Sequence, residues 1–214
     1  MAPDNLSTII KKSGDSGYLP PWQSCIKIIT DYIVSIVFLF ILSPVLLIIS
    51  VLIKMTGKGP VIYSQDRIGK GGKPFSIYKF RSMVYNAESG KPMLSVTNEE
   101  RVTKIGRLLR KYRIDEIPNF INVLKGEMSI VGPRPERKYF IDQIVMQAPE
   151  YTELHKVRPG ITSWGQVRFG YASNIDEMIS RLEYDLYYMK HRSLWFDLKI
   201  ITCTIGIIFR GKGI

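Results

Sequence analysis

Cysteine and histidine are scarce in this chain of 214 residues, and their scarcity excludes several kinds of chemistry. The two cysteines, Cys25 and Cys203, lie far apart in or beside apolar runs, so they indicate neither a disulfide framework nor a zinc site. With only His155 and His191 present, a multi-histidine metal centre or a histidine-based triad has too few residues. Carboxylates, arginines and lysines are therefore the candidates for function.

Acidic residues are also outnumbered, because 19 Asp and Glu stand against 30 Lys and Arg, for a formal net charge of +11. This excess predicts an anionic partner, and nucleic acid, anionic lipid and nucleotide phosphate all satisfy it. Apolar residues make up 45% of the chain, which predicts a packed core rather than disorder. Charge alone does not choose between the partners.

The N-terminal part changes from polar to apolar. Residues 1–24 are polar and contain glycine and proline, which predicts a loosely packed tail. The run from residue 32 to residue 53 carries no charge and is long enough to cross a bilayer as a helix. A cleaved signal peptide is not indicated, because the apolar run is too long and no small-residue cleavage site follows it.

Ser43-Pro44 interrupts this apolar run. Pro44 cannot donate a hydrogen bond to the carbonyl of Phe40, although the Ser43 hydroxyl can partly satisfy that carbonyl. Two interpretations stay open: a kinked single span, or a helix-break-helix over residues 25–57 that enters and leaves by one membrane face. Lysines near both ends of the run favour the second interpretation, with both ends cytoplasmic.

Residues 58–214 are predicted to form the folded domain. Alternating apolar residues at 61–63 and 75–80, with a glycine-rich turn between them, predict a β-hairpin on which Lys79 and Arg81 share one face. Residues 101–113 predict a basic amphipathic helix, and residues 194–209 predict an interfacial helix. The fold class is therefore α+β and mostly helical, with a small β-hairpin, an N-terminal re-entrant membrane helix broken at Ser43-Pro44, and interfacial amphipathic helices.

The adjacent acids Asp115 and Glu116 are the most informative pair. One interpretation is structural, with Asp115 as a helix N-cap and Glu116 favourable to the helix dipole. The other is catalytic, because Arg110, Lys111 and Arg113 nearby favour ionised carboxylates and can hold a phosphate beside them. Two such acids can divide the work, so that one attacks a phosphoryl centre and the other holds Mg²⁺.

Two arginines lie next to prolines and are candidates for phosphate binding. Arg134 stands between Pro133 and Pro135, which leave its backbone few conformations and favour a preorganised phosphate-binding group. Arg158 precedes a Pro-Gly turn. The alternative for each is a plain turn with a solvated arginine.

These features, in this order, resemble the monotopic bacterial polyprenyl-phosphate phosphoglycosyl transferases, also called bacterial sugar transferases. The resemblance covers residues 26–209. The motifs that carry it are Ser43-Pro44, Ile77-Tyr78-Lys79-Phe80-Arg81-Ser82-Met83, Asp115-Glu116, Asn122-Val123-Leu124-Lys125-Gly126-Glu127-Met128-Ser129, Gly132-Pro133-Arg134-Pro135 and Val157-Arg158-Pro159-Gly160-Ile161-Thr162.

The resemblance implies an enzyme of the inner bacterial membrane with its active site on the cytoplasmic face. Asp115 would attack the β-phosphate of a UDP-sugar, release UMP and pass the phosphosugar to polyprenyl (undecaprenyl) phosphate, while Glu116 would bind Mg²⁺. Arg110 and Arg134 would bind phosphate, with further substrate-binding roles for Lys79, Arg81, Arg113 and Arg158. The implied partners are the UDP-sugar, the polyprenyl phosphate and membrane phospholipid, and no nucleic acid.

Two features depart from the small members of this family. Arg168-Phe169-Gly170-Tyr171 stands where many of them have Gly-Arg-Asn, so a different sugar or nucleotide pocket is expected. The C-terminal residues resemble the larger members, so the chain is expected to be their catalytic unit alone. The alternative function, from another class, is a non-catalytic basic membrane module that binds nucleic acid or anionic lipid through residues 101–113.

Overall fold

The computed structural model describes residues 18–85, 87, 93 and 100–211. Its α-helices are α1 (Pro21–Met55), α2 (Lys104–Lys111), α3 (Asn119–Leu124), α4 (Lys138–Gln147), α5 (Trp164–Arg168), α6 (Ile175–Lys190) and α7 (Leu194–Phe209). Its strands are β1 (Ile62–Ile68), β2 (Pro74–Phe80), β3 (Ser129–Val131) and β4 (Gly160–Thr162). Short 3₁₀ helices cover Lys70–Gly72, Ile114–Glu116 and Pro149–Lys156. A mostly helical α+β fold with small sheets is thus confirmed.

The N-terminal boundary differs from the predicted one. Residues 1–17 of the predicted tail lie outside the described residues, and α1 begins at Pro21, inside the range predicted as tail. Proline suits the first helical turn, because its missing N–H would have no partner there. The helix therefore begins well before the uncharged run, which starts at residue 32.

The predicted hairpin is confirmed. Strands β1 and β2 are antiparallel, and Tyr63 lies opposite Lys79 while Arg67 lies opposite Phe75. Strands β3 and β4 form a second, parallel pair. Gly132 and Gly160 permit the close approach of this pair, since a Cβ on Gly160 would lie 2.1 Å from the Gly132 nitrogen. The loop that carries Arg134 begins directly after this contact.

Helix α1 is continuous through Pro44. Ser43 Oγ donates a hydrogen bond of 2.8 Å to the Phe40 carbonyl, which supplies part of the bonding that Pro44 cannot. Among the described residues, α1 is the one helix long and apolar enough to cross a membrane. At 1.5 Å per residue, its length is roughly 52 Å, well beyond a hydrocarbon core of about 30 Å.

Both ends of α1 dock on the same folded domain. Near its start, Lys27 Nζ binds the Asp197 carboxylate at 2.6 Å, and the Asp31 carboxylate accepts a hydrogen bond of 2.7 Å from Ser129 Oγ. Near its end, Ile53 is buried in a cluster with Phe80. Between the two ends, Phe38 contacts Phe120 of α3 with ring centres 4.7 Å apart, whereas Phe40 and Leu47, around Pro44, are 80% and 68% exposed.

The main core lies between α4, the following 3₁₀ helix, α6 and α7. Ile144, Leu182 and Ile200 have almost no exposed surface there. Tyr188, equally buried, donates a hydrogen bond of 2.8 Å to Asp197, which also binds the first turns of α1 through Lys27. The core is therefore connected to the membrane helix through a buried carboxylate.

Asn122 connects the hairpin to the segment that carries the two acids. Its side chain has no exposed surface. The Oδ1 atom accepts a hydrogen bond of 3.1 Å from the Tyr78 amide, and Nδ2 donates to the Ser76 carbonyl at 2.7 Å. Nδ2 also donates to Glu127 at 2.7 Å. The outer edge of β2 is thus satisfied by one side chain of α3, which fixes β2 beside the chain that follows Glu116.

We expect Asn122→Ala to destabilise the fold, because it leaves the buried Tyr78 amide and Ser76 carbonyl without partners. The cost should be about 2–4 kcal/mol, which corresponds to an unfolding midpoint lower by roughly 4–12 °C. Thermal unfolding of the purified protein in detergent measures it. Lys125→Ala is the control, since it removes an exposed hydrogen bond to Tyr78 Oη and should change the midpoint far less. Equal midpoints for Asn122→Ala and the parent chain would contradict the bridging role.

Candidate active site

A cavity of about 390 Å³ lies between the hairpin, the 3₁₀ helix of Asp115 and Glu116, the loop after β3, and α6. Among the described residues that line it, seven side chains are cationic and three are acidic. The cationic residues are Arg67, Lys79, Arg81, Arg110, Arg134, Arg137 and Arg181. The acidic residues are Asp115, Glu116 and Glu136. Such a cavity favours an anionic ligand.

The 3₁₀ helix Ile114–Glu116 places both acids of the pair on this cavity. Helix α2 begins at Lys104, after Thr103 as N-cap, whose side chain accepts a hydrogen bond from the Gly106 amide, and it ends before the predicted residue 113. Arg113 has φ +53°, the one positive value among the described non-glycine residues, and this left-handed residue turns the chain into the 3₁₀ helix. The predicted N-cap role of Asp115 is not observed, since Pro118 precedes α3 without a side-chain cap.

Glu116 is surrounded by cations. Its Oε1 atom lies 2.6 Å from Lys79 Nζ and 3.5 Å from Arg134 Nη1, and its Oε2 atom lies 3.9 Å from Arg113 Nη1. Burial alone would raise the pKa of Glu116, but Lys79, Arg134 and Arg113 hold that pKa well below its usual value. Glu116 is therefore a fixed negative charge.

Asp115 lies in a different electrostatic setting although it is the next residue. Burial raises the pKa of its carboxyl above the usual value, Lys79 and Arg110 oppose this rise, and the charge of Glu116 adds to it. The pKa of Asp115 is thus raised while that of Glu116 is lowered, so Asp115 is the more basic carboxyl. A pair of acids whose environments separate their pKa values is typical of a division of catalytic roles.

Glu136 organises the cationic side of the cavity, and the sequence analysis did not identify it. Only 3% of it is exposed. Its carboxylate binds Arg67 Nη1 at 2.8 Å and Arg181 Nη2 at 2.7 Å, and it lies 3.6 Å from Arg134 Nε. The sequence signal was its position directly after the Pro133-Arg134-Pro135 motif, which predicted Arg134 but not the residue that holds Arg134.

Tyr171, in the segment that departs from the small family members, also lines the cavity. The guanidinium groups of Arg113 and Arg134 lie 5.0 and 5.4 Å from the centre of its ring, which is within the range of cation–π contacts. Burial and Glu116 raise the pKa of Tyr171 to about 12. Its hydroxyl is therefore protonated at neutral pH, and its ring contacts two arginines that lie beside Glu116.

The other predicted substrate-binding residues lie in different places. Arg110 is buried and lines the cavity, whereas Arg158 is not among the described residues that line it. Arg81 lines the cavity, yet its guanidinium donates to the carbonyls of Ile53, Gly57 and Lys58 at 2.8–3.1 Å. Arg81 therefore caps the C-terminal end of α1. A direct role in substrate binding stays a prediction for Arg81 and Arg158.

The carboxylates at this site suit a metal cation that a substrate phosphate also binds. They suit a cation bound by protein side chains alone less well. Within residues 18–85, 87, 93 and 100–211, no group of three or more His, Cys, Asp or Glu side chains could hold a metal ion. Mg²⁺ commonly binds one or two carboxylates together with substrate phosphates. Among the described residues, the one ion pair found for Oε2 of Glu116 is with Arg113 at 3.9 Å, so this oxygen suits a cation that a substrate phosphate also binds.

Comparison with known proteins gives a consistent answer. The family model described as bacterial sugar transferase matches residues 22–211. The UDP-N-acetylgalactosamine-undecaprenyl-phosphate N-acetylgalactosaminephosphotransferase of Aeromonas hydrophila is 45% identical over 90% of this chain and 46% of its own length. The UDP-glucose:undecaprenyl-phosphate glucose-1-phosphate transferase of Klebsiella pneumoniae is 44% identical over 84% and 39%.

This chain thus spans less than half the length of those two relatives. A shorter relative, the UDP-glucose:undecaprenyl-phosphate glucose-1-phosphate transferase of Caulobacter vibrioides, is 36% identical over 84% of this chain and 68% of its own length. The family match covers nearly all of the residues that form the fold and the cavity. The chain belongs to the bacterial sugar transferase family.

Proposed function

We propose that this chain transfers a sugar-1-phosphate from a UDP-sugar to polyprenyl phosphate, undecaprenyl phosphate in the bacterial membrane, and so begins the assembly of a cell-surface glycan. The transfer passes through a covalent phosphosugar on Asp115. The observation that carries this proposal is the unequal pair in one cationic cavity: Glu116 is held ionised by three cations, while burial keeps Asp115 the more basic carboxyl. The names of the two relatives described above, both undecaprenyl-phosphate transferases that use a UDP-sugar, support the two substrates.

The reaction has two displacements at one phosphorus atom. In the first, an Asp115 oxygen forms a bond to the β-phosphorus of the UDP-sugar, and the bond from that phosphorus to the bridging oxygen breaks, so UMP leaves with the electron pair. In the second, an oxygen of polyprenyl phosphate attacks the same phosphorus, and Asp115 leaves as a carboxylate. Covalent catalysis of this kind replaces one difficult step by two easier ones.

Cationic side chains around Asp115 supply the electrostatic stabilisation. Lys79, Arg110 and Arg134 line the cavity with Asp115, and they can bind the diphosphate oxygens as charge develops on them. Lys79 and Arg134 are already oriented by Glu116, so little reorganisation is needed when the donor binds. Mg²⁺, held by Glu116 together with the diphosphate, would neutralise further negative charge on the donor.

The contacts of α1 support a re-entrant path with both ends on the cytoplasmic face. Asp31 and Ile53 touch the same folded domain, although they are separated by roughly 33 Å of helix at 1.5 Å per residue. A straight span would place these contacts on opposite sides of a core about 30 Å thick. The exposed residues around Pro44 would then form the apex in the lipid, with a bend at Pro44.

Exposed apolar side chains outside α1 support further contact with the membrane interface. Leu108 on α2 is 56% exposed, and Trp195 and Phe209 on α7 are more than 80% exposed. Tryptophan is enriched at the level of lipid headgroups. We therefore assign α2 and α7 as interfacial helices of a protein in the inner bacterial membrane.

A non-catalytic basic module accounts less well for the same residues. Lys104 and Arg107 of α2 are exposed, but Arg110 and Arg181 in the cavity are buried, and the other cavity cations are buried or half-buried. A surface that binds nucleic acid or lipid headgroups through charge needs its cations at the surface. The buried cations therefore favour a small anionic substrate.

Asp115→Asn should abolish turnover, because an amide is neither ionised nor nucleophilic. We expect a loss of at least about 10³-fold in kcat, equivalent to roughly 4 kcal/mol of barrier. The measurement is UMP release from a panel of UDP-sugars with Mg²⁺, with and without polyprenyl phosphate, together with the mass of the intact protein. The parent chain should gain the mass of one phosphosugar on Asp115. Asp142→Asn, at an exposed ion pair with Lys138, is the matched control and should keep full activity.

Glu116→Gln should lower kcat and raise the Mg²⁺ concentration needed for half-maximal rate, because an amide oxygen is a weaker ligand than a carboxylate. A titration of initial rate against Mg²⁺ measures both effects. Glu153→Gln, which alters an exposed pair with Lys156, should leave the titration unchanged. A Glu116→Gln enzyme with the parent Mg²⁺ curve would exclude the metal-ligand role.

Single cysteines at positions 20 and 58 should both resist a membrane-impermeant thiol reagent in intact cells and react after lysis. Pro20→Cys and Lys58→Cys are introduced separately with Cys25→Ser and Cys203→Ser, since Cys25 is exposed. The two positions flank α1, so a re-entrant helix keeps both inside. Labelling of one position alone in intact cells would instead establish a helix that spans the bilayer.

A further inference from the structure

The cavity has two chemically different ends, and strand β1 gives its direction. Pro60, Tyr63, Gln65 and Arg67 line it in chain order, and at 3.3 Å per residue the stretch from residue 60 to residue 67 is roughly 23 Å long. The outer end is the part of the cavity lined by Pro60, Arg81, Met83 and Tyr85. The inner end is the part lined by Arg67, Glu136, Arg137, Phe140, Met178 and Arg181.

The outer end lies against the membrane helix. Arg81 donates hydrogen bonds to the carbonyls of Ile53 and Gly57 at the end of α1, and Phe80 packs with Ile53. Met83 and Tyr85 continue the lining. An acceptor whose prenyl chain lies in the bilayer therefore reaches the cavity from this end.

The inner end lies against the protein core. Phe140 and Met178 belong to the main core cluster and are 5% and 3% exposed. At this end, the Glu136 carboxylate binds Arg67 at 2.8 Å and Arg181 at 2.7 Å. This end is thus lined by guanidinium groups and by apolar side chains of the core.

The reacting pair lies between the two ends. Lys79, opposite Tyr63 on the hairpin, binds Glu116 at 2.6 Å. Arg134 lies 3.5 Å from Glu116 on one side and 3.6 Å from Glu136 on the other. A chain of ion pairs therefore leads from the reacting carboxylates to the inner end.

The two displacements restrict where each group of the substrates can lie. In-line displacement makes UMP leave from the side of the phosphorus opposite Asp115. The acceptor phosphate must enter from that same side, because it in turn displaces Asp115. Since the acceptor comes from the membrane, the shared side faces the outer end. The sugar stays bonded through its phosphate oxygen to the phosphorus in both steps. It must therefore lie outside the path along which UMP leaves and the acceptor phosphate enters.

From this geometry we propose that the inner end binds the sugar of the donor and determines which sugar is accepted. The proposal rests on the proposed function and adds the location of the sugar. Guanidinium groups of Arg137 and Arg181 donate to sugar hydroxyls, while Phe140 and Met178 pack against the apolar face of the ring. Substituents of the sugar, such as a 2-acetamido group, are then accepted or rejected by the shape of this end.

The test compares sugar selectivity with nucleotide binding in the same variants. Arg137→Gln and Met178→Ala are assayed for UMP release from UDP-glucose, UDP-galactose and their two 2-acetamido analogues. We expect the ratios of kcat/KM between sugars to change by about 10-fold or more, while the inhibition constant of UMP changes by less than about twofold. Met178→Leu, of nearly equal volume, is assayed in parallel so that a destabilised Met178→Ala does not decide the outcome.

Tyr85→Ala at the outer end is the matched control. It should raise KM for polyprenyl phosphate and leave the ratios between sugars unchanged. If the inner-end variants keep the parent ratios, the proposal is overturned, and weaker inhibition by UMP in those variants would place the nucleotide there instead. If the parent chain releases no UMP from any of the four donors, the proposed function itself is rejected.

Discussion

A continuous chain of buried ion pairs holds this active site together: Lys79 to Glu116, Glu116 to Arg134, Arg134 to Glu136, and Glu136 to Arg181. Leaving one member of a buried pair without its partner costs about 3–5 kcal/mol, so each link requires the next one. The five residues come from the hairpin, the 3₁₀ helix, the loop after β3, and α6. Satisfying their charges therefore brings four separate segments to one cavity and fixes Asp115 and Glu116 between them.

A second constraint acts on the membrane helix. Lys27 and Asp31 are polar residues near the start of an otherwise apolar α1, and both are almost fully buried against the domain, where Asp197 and Ser129 satisfy them. A buried charge without a partner costs free energy of folding, so these two contacts hold the helix at one position. Ser129 begins β3, and the chain reaches Arg134 five residues later. The position of α1 and the position of Arg134 are therefore set by the same strand.

Local patterns predicted the parts of this structure that depend on neighbours in sequence. Alternation predicted the hairpin and placed Lys79 on the face that lines the cavity, and the flanking prolines singled out Arg134. Glu136, Arg67 and Arg181 were missed because their contacts join residues 45 to 69 positions apart, which no periodicity reveals. The N-cap interpretation of Asp115 failed for a similar reason, since the left-handed Arg113 ends α2 early and contacts Glu116 and Tyr171. Such a turn depends on the packed site rather than on local propensity.

The charge balance of the cavity explains why the acids are tolerated in a site for anions. Seven cations without carboxylates would repel one another, whereas Glu116 and Glu136 each hold particular guanidinium or ammonium groups in place. Preorganised charges stabilise a transition state more than mobile charges of the same number. Among the described residues, Asp115 is the one acid of the cavity for which no ion pair within 4 Å is found, and burial raises its pKa. Glu116 adds to this rise because its negative charge lies next to the Asp115 carboxyl, so the same acid that orients Lys79 and Arg134 also makes Asp115 more basic.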